Sequence, residues 1–61
     1  MNKAQKRQVA LIEVYIANGM SDTAARSLSA LIRSALTSKS RAELLSLAAS
    51  FGVINHPEFI I

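Results

Sequence analysis

Residues 14–28, VYIANGMSDTAARSL, join two segments of helical periodicity through one glycine. The first segment begins at about residue 2 or 3 and ends at Asn18. Gly19 follows where helices commonly end on a left-handed residue, a conformation that glycine adopts without a steric penalty. Ser21 or Asp22 then offers a side-chain oxygen to cap the first turn of the next helix. The stretch predicts a helix, a short turn and a second helix.

A third helix is predicted to follow the second. The second helix reaches about Leu36 and gives way to a polar connection. Ser40 and Glu43 then have the spacing of a capping box, in which each side chain accepts from the other residue's backbone N–H. The third helix ends near Phe51, before a second glycine, Gly52. We therefore expect an all-α fold, a small single domain of three helices over residues 1–61 with a short C-terminal turn or arm.

The composition is that of one globular domain without a catalytic or metal-binding cluster. Of 61 residues, 51% are hydrophobic and 18% are charged. The absence of cysteine excludes disulfides, thiol catalysis and thiolate zinc sites. One histidine, His56, and four scattered carboxylates offer no catalytic triad and no converging acid–base pair, and both glycines lie outside any phosphate-binding loop. We expect no enzymatic activity, no metal and no cofactor.

The second and third helices are amphipathic, whereas the first is apolar around nearly its whole circumference. The inner face of the second helix is predicted to contain Ala24, Ala25, Leu28, Leu31, Ile32, Ala35 and Leu36. The inner face of the third is predicted to contain Leu44, Leu45, Leu47, Ala48 and Phe51. In the first helix, Glu13 alone interrupts the apolar residues 9–17. Because two companion helices cannot cover such a helix on all sides, we expect a homo-oligomer.

The end of the chain also favours self-association. Its last residues are large and apolar, at a position where free termini are usually polar. Asn55, followed by Pro57, would cap one short final turn, or the tail would extend as an arm across a neighbouring subunit. The predicted oligomer interface consists of Val9, Ile12, Tyr15, Ile16, Phe59, Ile60 and Ile61.

A second interpretation comes from a sequence resemblance. The residues that carry it are Val14, Gly19, Met20, Ser21, Ala25 and Leu28. Their types and spacing resemble the core of the helix–turn–helix family, although Tyr15 stands where that family usually has alanine and Asn18 where it usually has an apolar residue. The resemblance implies a DNA-binding second helix. The residues placed toward a partner or DNA are Asp22, Thr23, Arg26, Ser27 and Arg33.

The charge balance permits DNA without requiring it. Seven basic and four acidic residues give a net charge of +3, and the chain lacks the dense basic clusters and stacking aromatics of many nucleic-acid binders. The longest apolar-dominated stretch is about half of the roughly 20 residues that span a bilayer, so we expect no membrane span and a cytoplasmic protein. Our first hypothesis is a small regulatory or adaptor protein that binds a protein partner through a helical surface. The alternatives are a dimeric helix–turn–helix DNA-binding regulator and a structural subunit of a larger assembly.

Overall fold

The computed structural model describes residues 1–59 and confirms the all-α fold. Its helices are α1 (Lys3–Ala17), α2 (Ser21–Ser34) and α3 (Ser38–Ser50), and a single 3-10 turn, which we call the C-terminal turn, follows at Pro57–Phe59. The central element is α2, which contacts α1, α3 and the C-terminal turn. The α2 surface that α1 and α3 leave uncovered is therefore the one on which the end of the chain packs.

Both predicted glycine endings are confirmed, and each forms a Schellman motif. Gly19 and Gly52 adopt φ values of 73° and 75°, the left-handed region in which a Cβ is unfavourable. After α1, the N–H of Met20 donates to the Tyr15 carbonyl at 2.8 Å. After α3, the N–H of Val53 donates to the Ala48 carbonyl at 3.0 Å, and Val53 is buried. These endings turn the chain back toward α2.

The start of α1 contains a capping box that the sequence reasoning missed. The Asn2 Oδ1 accepts from the Gln5 backbone N–H at 2.8 Å, and the Gln5 Oε1 accepts from the Asn2 backbone N–H at 2.9 Å. The signal was present in the sequence as Asn-x-x-Gln. It places the first residue of α1 at Lys3, within the predicted limits.

The limits predicted for α2 need correction at both ends. Among the described residues no side chain caps its N-terminus, since the N-cap position falls on Met20 rather than on Ser21 or Asp22. At the other end, Ala35 has already left the helix, with ψ at 131°, and the carbonyl of Ala35 accepts from Arg41 Nε at 3.2 Å. This departure buries Ala35 and leaves Leu36 outside the helix, with 96% of its surface exposed. The prediction that Leu36 lies on the inner face is therefore wrong.

The predicted capping box at the start of α3 is also wrong. Thr37, not Ser40, is the N-cap residue, and its Oγ1 accepts from the Ser40 backbone N–H at 3.1 Å. The helix consequently begins at Ser38, three residues earlier than a cap at Ser40 allows. Both residues have a hydroxyl, so the choice depends on where the chain leaves α2 rather than on side-chain type.

The hydrophobic core lies between α2 and the two other helices. Ile12, Leu28 and Leu44 are the largest side chains with no exposed surface, and each comes from a different helix. The small residues Ala24 and Ala25 are also fully buried, which lets the neighbouring helices approach α2 closely. The inner face predicted for α3 is confirmed at Leu44 and Ala48, whereas Leu45 is 43% exposed and its assignment to that face is wrong. The remaining buried apolar residues are Val9, Ala35 and Val53.

Candidate functional site

One side of α2 carries charged residues, which we call the charged face (Asp22, Arg26 and Arg33). At 100° per residue these three positions lie within about 40° of one another around the helix axis. Both arginine side chains remain largely exposed, at 74% and 73% of their surface. Ser29 lies on the same side, where it is buried and its Oγ accepts from Arg33 Nη2 at 3.0 Å. The charged face is therefore a well-defined surface.

The C-terminal turn packs against the charged face and places a negative charge beside its two arginines. One oxygen of the Glu58 carboxylate lies 4.0 Å from Arg26 Nε, and the other lies 3.5 Å from Arg33 Nη2. The two arginines are seven residues apart, or about two helical turns, so their side chains reach one carboxylate from opposite directions. A single acidic side chain thus bridges both predicted partner-contacting arginines.

His56 attaches the start of the turn to the charged face. Its Nδ1 accepts from the Glu58 backbone N–H at 3.1 Å, and its Nε2 lies 2.8 Å from Asp22 Oδ1. Because Nδ1 accepts from a backbone N–H, Nε2 is the ring nitrogen that donates to Asp22. His56, rather than the predicted Asn55, therefore organises the final turn.

The environment of Asp22 alters its ionisation. The hydrogen bond from His56 is the main cause that lowers the pKa of Asp22 below its ordinary value of 3.8, and the positive charge of Arg26 acts in the same direction. The carboxylate consequently stays ionised to lower pH than it would in an unfolded chain.

The other two predicted contact residues lie elsewhere on α2. Thr23 and Ser27 are roughly 100° further round the helix than the charged face, and both are partly buried. Ser27 lines a shallow groove with Gln8 of α1. The structure therefore brings Asp22, Arg26 and Arg33 to one surface and places Thr23 and Ser27 on a flank.

A groove of about 400 Å³ adjoins the charged face. Phe59 of the C-terminal turn packs against the hydrophobic core beside it. The wall of the groove is partly apolar and partly charged, because apolar surface from two helices lies next to the Arg33–Glu58 ion pair. The residues that line it are Ser29, Ile32, Arg33, Leu45, Glu58 and Phe59. Sequence reasoning missed this groove because its residues come from three separate segments.

The predicted oligomer interface is divided by the fold. Val9 and Ile12 are buried in the core of a single chain, so their apolar character requires no second subunit. Tyr15 and Ile16 are partly buried and pack against the same core. Phe59 packs within its own chain as well, while Ile60 and Ile61 lie outside the described residues. The exposed apolar surface of α1 is therefore formed by other residues.

That surface is the outer stripe of α1, which we define as Ala10, Leu11, Val14 and Ala17. Their spacing places them on one side of the helix, opposite the side that packs on α2. Leu11 is 44% exposed and Val14 is 54% exposed, and both alanines are exposed as well. Lys3, Lys6 and Arg7 occupy the exposed start of the same helix.

Comparison with protein-family models, with curated proteins and with solved structures found no significant match to this chain. None of the helices within residues 1–59 is long and apolar enough to cross a membrane. Over the same residues, no three acidic or histidine side chains are grouped as metal ligands would be. The geometry of the two surfaces is therefore the basis for a functional proposal.

Proposed function

We propose that this chain is a small, non-enzymatic regulatory or adaptor protein of the cytoplasm that binds a protein partner through a helical surface and forms a homo-oligomer. The observation that carries the proposal is the outer stripe of α1. Contiguous exposed apolar surface on a helix is typical of protein–protein contacts, whereas the surface that meets DNA is polar and basic. The stripe therefore favours a protein partner.

The composition of the stripe suits helix–helix packing. Leu11 and Val14 supply the apolar area, and Ala10 and Ala17 beside them permit close approach of a second helix. Full burial of an exposed leucine or valine contributes about 1.5–3 kcal/mol, so covering these half-exposed side chains contributes roughly 1 kcal/mol each on both subunits. The contribution of each residue is small, but in a two-fold symmetric dimer every contribution is made twice, once by each subunit.

A second copy of the chain is the partner that the charges of α1 fit best. The start of the helix carries Lys3, Lys6 and Arg7, whereas its second half carries the exposed Glu13 and the negative end of the helix dipole. A two-fold axis across the stripe makes the two α1 helices antiparallel. Each basic start then lies toward the negative C-terminal end of the other helix, and the two basic starts are at opposite ends of the dimer.

The mass of the protein in solution tests this proposal. We expect a dimer by sedimentation equilibrium at micromolar concentration, and we expect Leu11→Ser with Val14→Ser to shift it to monomer. Leu36→Ser is the matched control, because Leu36 is more exposed than either residue but lies outside the stripe. A monomeric wild type, or a double variant with unchanged mass, would contradict the proposal. Open-ended assembly beyond a dimer would favour the structural-subunit alternative.

DNA binding is kept as the second candidate because of one observation. The turn between α1 and α2 contains the left-handed Gly19, and two arginines project from the exposed side of the second helix. Against it stands the pairing of those arginines with Glu58, which reduces the positive potential that DNA requires. Titration with mixed duplex DNA at two salt concentrations tests it. Binding that weakens with rising salt, and that Arg26→Ala with Arg33→Ala abolishes, would support this candidate.

A further inference from the structure

We propose that the charged face of α2 and the adjoining groove form a docking site for an acidic–aromatic segment of a partner protein, in which a carboxylate side chain is followed by a phenyl side chain. In the free protein the chain's own C-terminal turn covers this site, with Glu58 on the two arginines and Phe59 at the edge of the groove. The site itself lies on α2 and α3, so it is separate from the outer stripe of α1 and does not require self-association.

The acidic half of the site is defined by the way Glu58 is held. Each of its two carboxylate oxygens lies beside a different arginine, at 4.0 Å from Arg26 Nε and 3.5 Å from Arg33 Nη2. Ser29 accepts from the same Nη2 of Arg33 and orients that guanidinium. Two arginines that converge on one position form a charge-complementary receptor for a carboxylate.

The apolar half follows directly in space, as it does in the sequence of the turn. Phe59 comes immediately after Glu58 and packs against the hydrophobic core. Ile32 and Leu45 line the groove of about 400 Å³ beside it. A segment with the Glu-Phe order therefore meets both halves of the site without a change of backbone direction.

The contacts of the turn are of a kind that a partner segment can replace. The two arginine side chains are largely exposed, so their ion pairs with Glu58 are screened by water and salt. The Asp22 side chain that holds His56 is also mostly exposed, at 79% of its surface. The turn remains bound because it is tethered to α3, which keeps its effective concentration near the site on the order of millimolar.

A peptide titration tests the proposal. The probe is a fluorescein-labelled peptide of residues 54–59, INHPEF, measured by fluorescence anisotropy. The full-length variant Glu58→Gln with Phe59→Ala frees the site, and we expect it to bind the peptide at least about tenfold more tightly than the wild type, because tethered competition is removed. Equal or absent binding by the two proteins would overturn the proposal.

A charge exchange separates recognition from a general effect on folding. Arg33→Glu in the freed variant should abolish binding of INHPEF and should instead bind a peptide with lysine in place of Glu58. Lys39→Ala is the matched control, because Lys39 is an exposed cation on α3 away from the groove. Loss of binding with Lys39→Ala, or failure of the exchanged pair, would show that net charge rather than the site attracts the peptide.

A second measurement covers the case in which the freed variant does not fold. Excess INHPEF added to the wild type should displace the tethered turn and shift the backbone N–H NMR signals of its Glu58 and Phe59, and a peptide with glutamine in place of Glu58 should not. Unchanged Glu58 and Phe59 signals at saturating peptide would overturn the proposal. Displacement of the labelled peptide by duplex DNA at equal affinity would assign the site to nucleic acid instead. Because the two surfaces are separate, Leu11→Ser with Val14→Ser should leave the peptide binding unchanged.

Discussion

Truncation of Leu28 measures how far the stability of this domain depends on its three-helix core. Leu28 has no exposed surface and lies on α2, the helix that contacts every other element. Replacing a buried leucine by alanine costs about 2–5 kcal/mol, since the transfer free energy of the lost atoms is added to the cost of the cavity. At roughly 0.05–0.15 kcal/mol per residue, a domain of this length has about 3–9 kcal/mol of stability in total. Leu28→Ala is therefore expected to remove a large part of the folding free energy.

Leu36 provides the matched control for this experiment. It is a leucine that follows the same apolar pattern, but 96% of its surface is exposed, so Leu36→Ala should change the free energy of unfolding by less than about 0.5 kcal/mol. Ile12→Val removes one methylene from the fully buried Ile12 and should cost about 1 kcal/mol, which gives an intermediate point if Leu28→Ala does not fold.

Urea unfolding followed by circular dichroism at the helical band measures all three variants. The expected order of stability is wild type and Leu36→Ala together, then Ile12→Val, then Leu28→Ala. A cost for Leu36→Ala equal to that for Leu28→Ala would refute the reasoning, because it would mean that Leu36 is buried in the folded protein. A cost below about 1 kcal/mol for Leu28→Ala would refute the central place of α2 in the core.

Three further predictions concern local features. Gly19→Ala should lower the free energy of unfolding by about 1–2 kcal/mol through backbone strain alone, since a Cβ there meets no atom within 4 Å. Gly19→Asn should lower it by less, because asparagine tolerates the left-handed conformation better. An equal loss for both variants would contradict backbone strain as the cause. Thr37→Ala should cost about 1 kcal/mol in urea unfolding and Ser40→Ala almost nothing, and the reverse order would place the cap of α3 at Ser40. Because the pKa of Asp22 is lowered in the folded state, its contribution to stability is complete above its ordinary value of 3.8 and is lost as pH falls below it. An NMR titration of the Asp22 carboxyl should give a higher pKa in His56→Ala, and identical values would contradict the hydrogen bond.

The part of the candidate site on α2 was predictable from the sequence, whereas the packing of the C-terminal turn against it was not. The seven-residue spacing of Arg26 and Arg33 places them on one side of a helix, and this follows from the helical repeat alone. Their contact with Glu58 depends on where the chain returns after α3, which no local pattern specifies. The pair of His56 and Asp22 likewise joins residues 34 positions apart.

The sequence by itself determined the number of helices and the places where α1 and α3 end. These features are local: apolar periodicity selects the helix, and Gly19 and Gly52 end it because only glycine readily adopts the required backbone angle. The fold class needs no more than this information. It follows from interactions within a few residues of each position.

The tertiary structure alone decided which apolar residues are buried and where α2 ends. Val9 and Ile12 lie in the core and Val14 lies outside, although all three are apolar residues of one helix, because α2 covers only one side of α1. Ala35 leaves α2 early so that α3 can pack back against it, and this exposes Leu36. Such choices depend on the relative position of whole helices, which is set by the summed packing of the core rather than by any short segment.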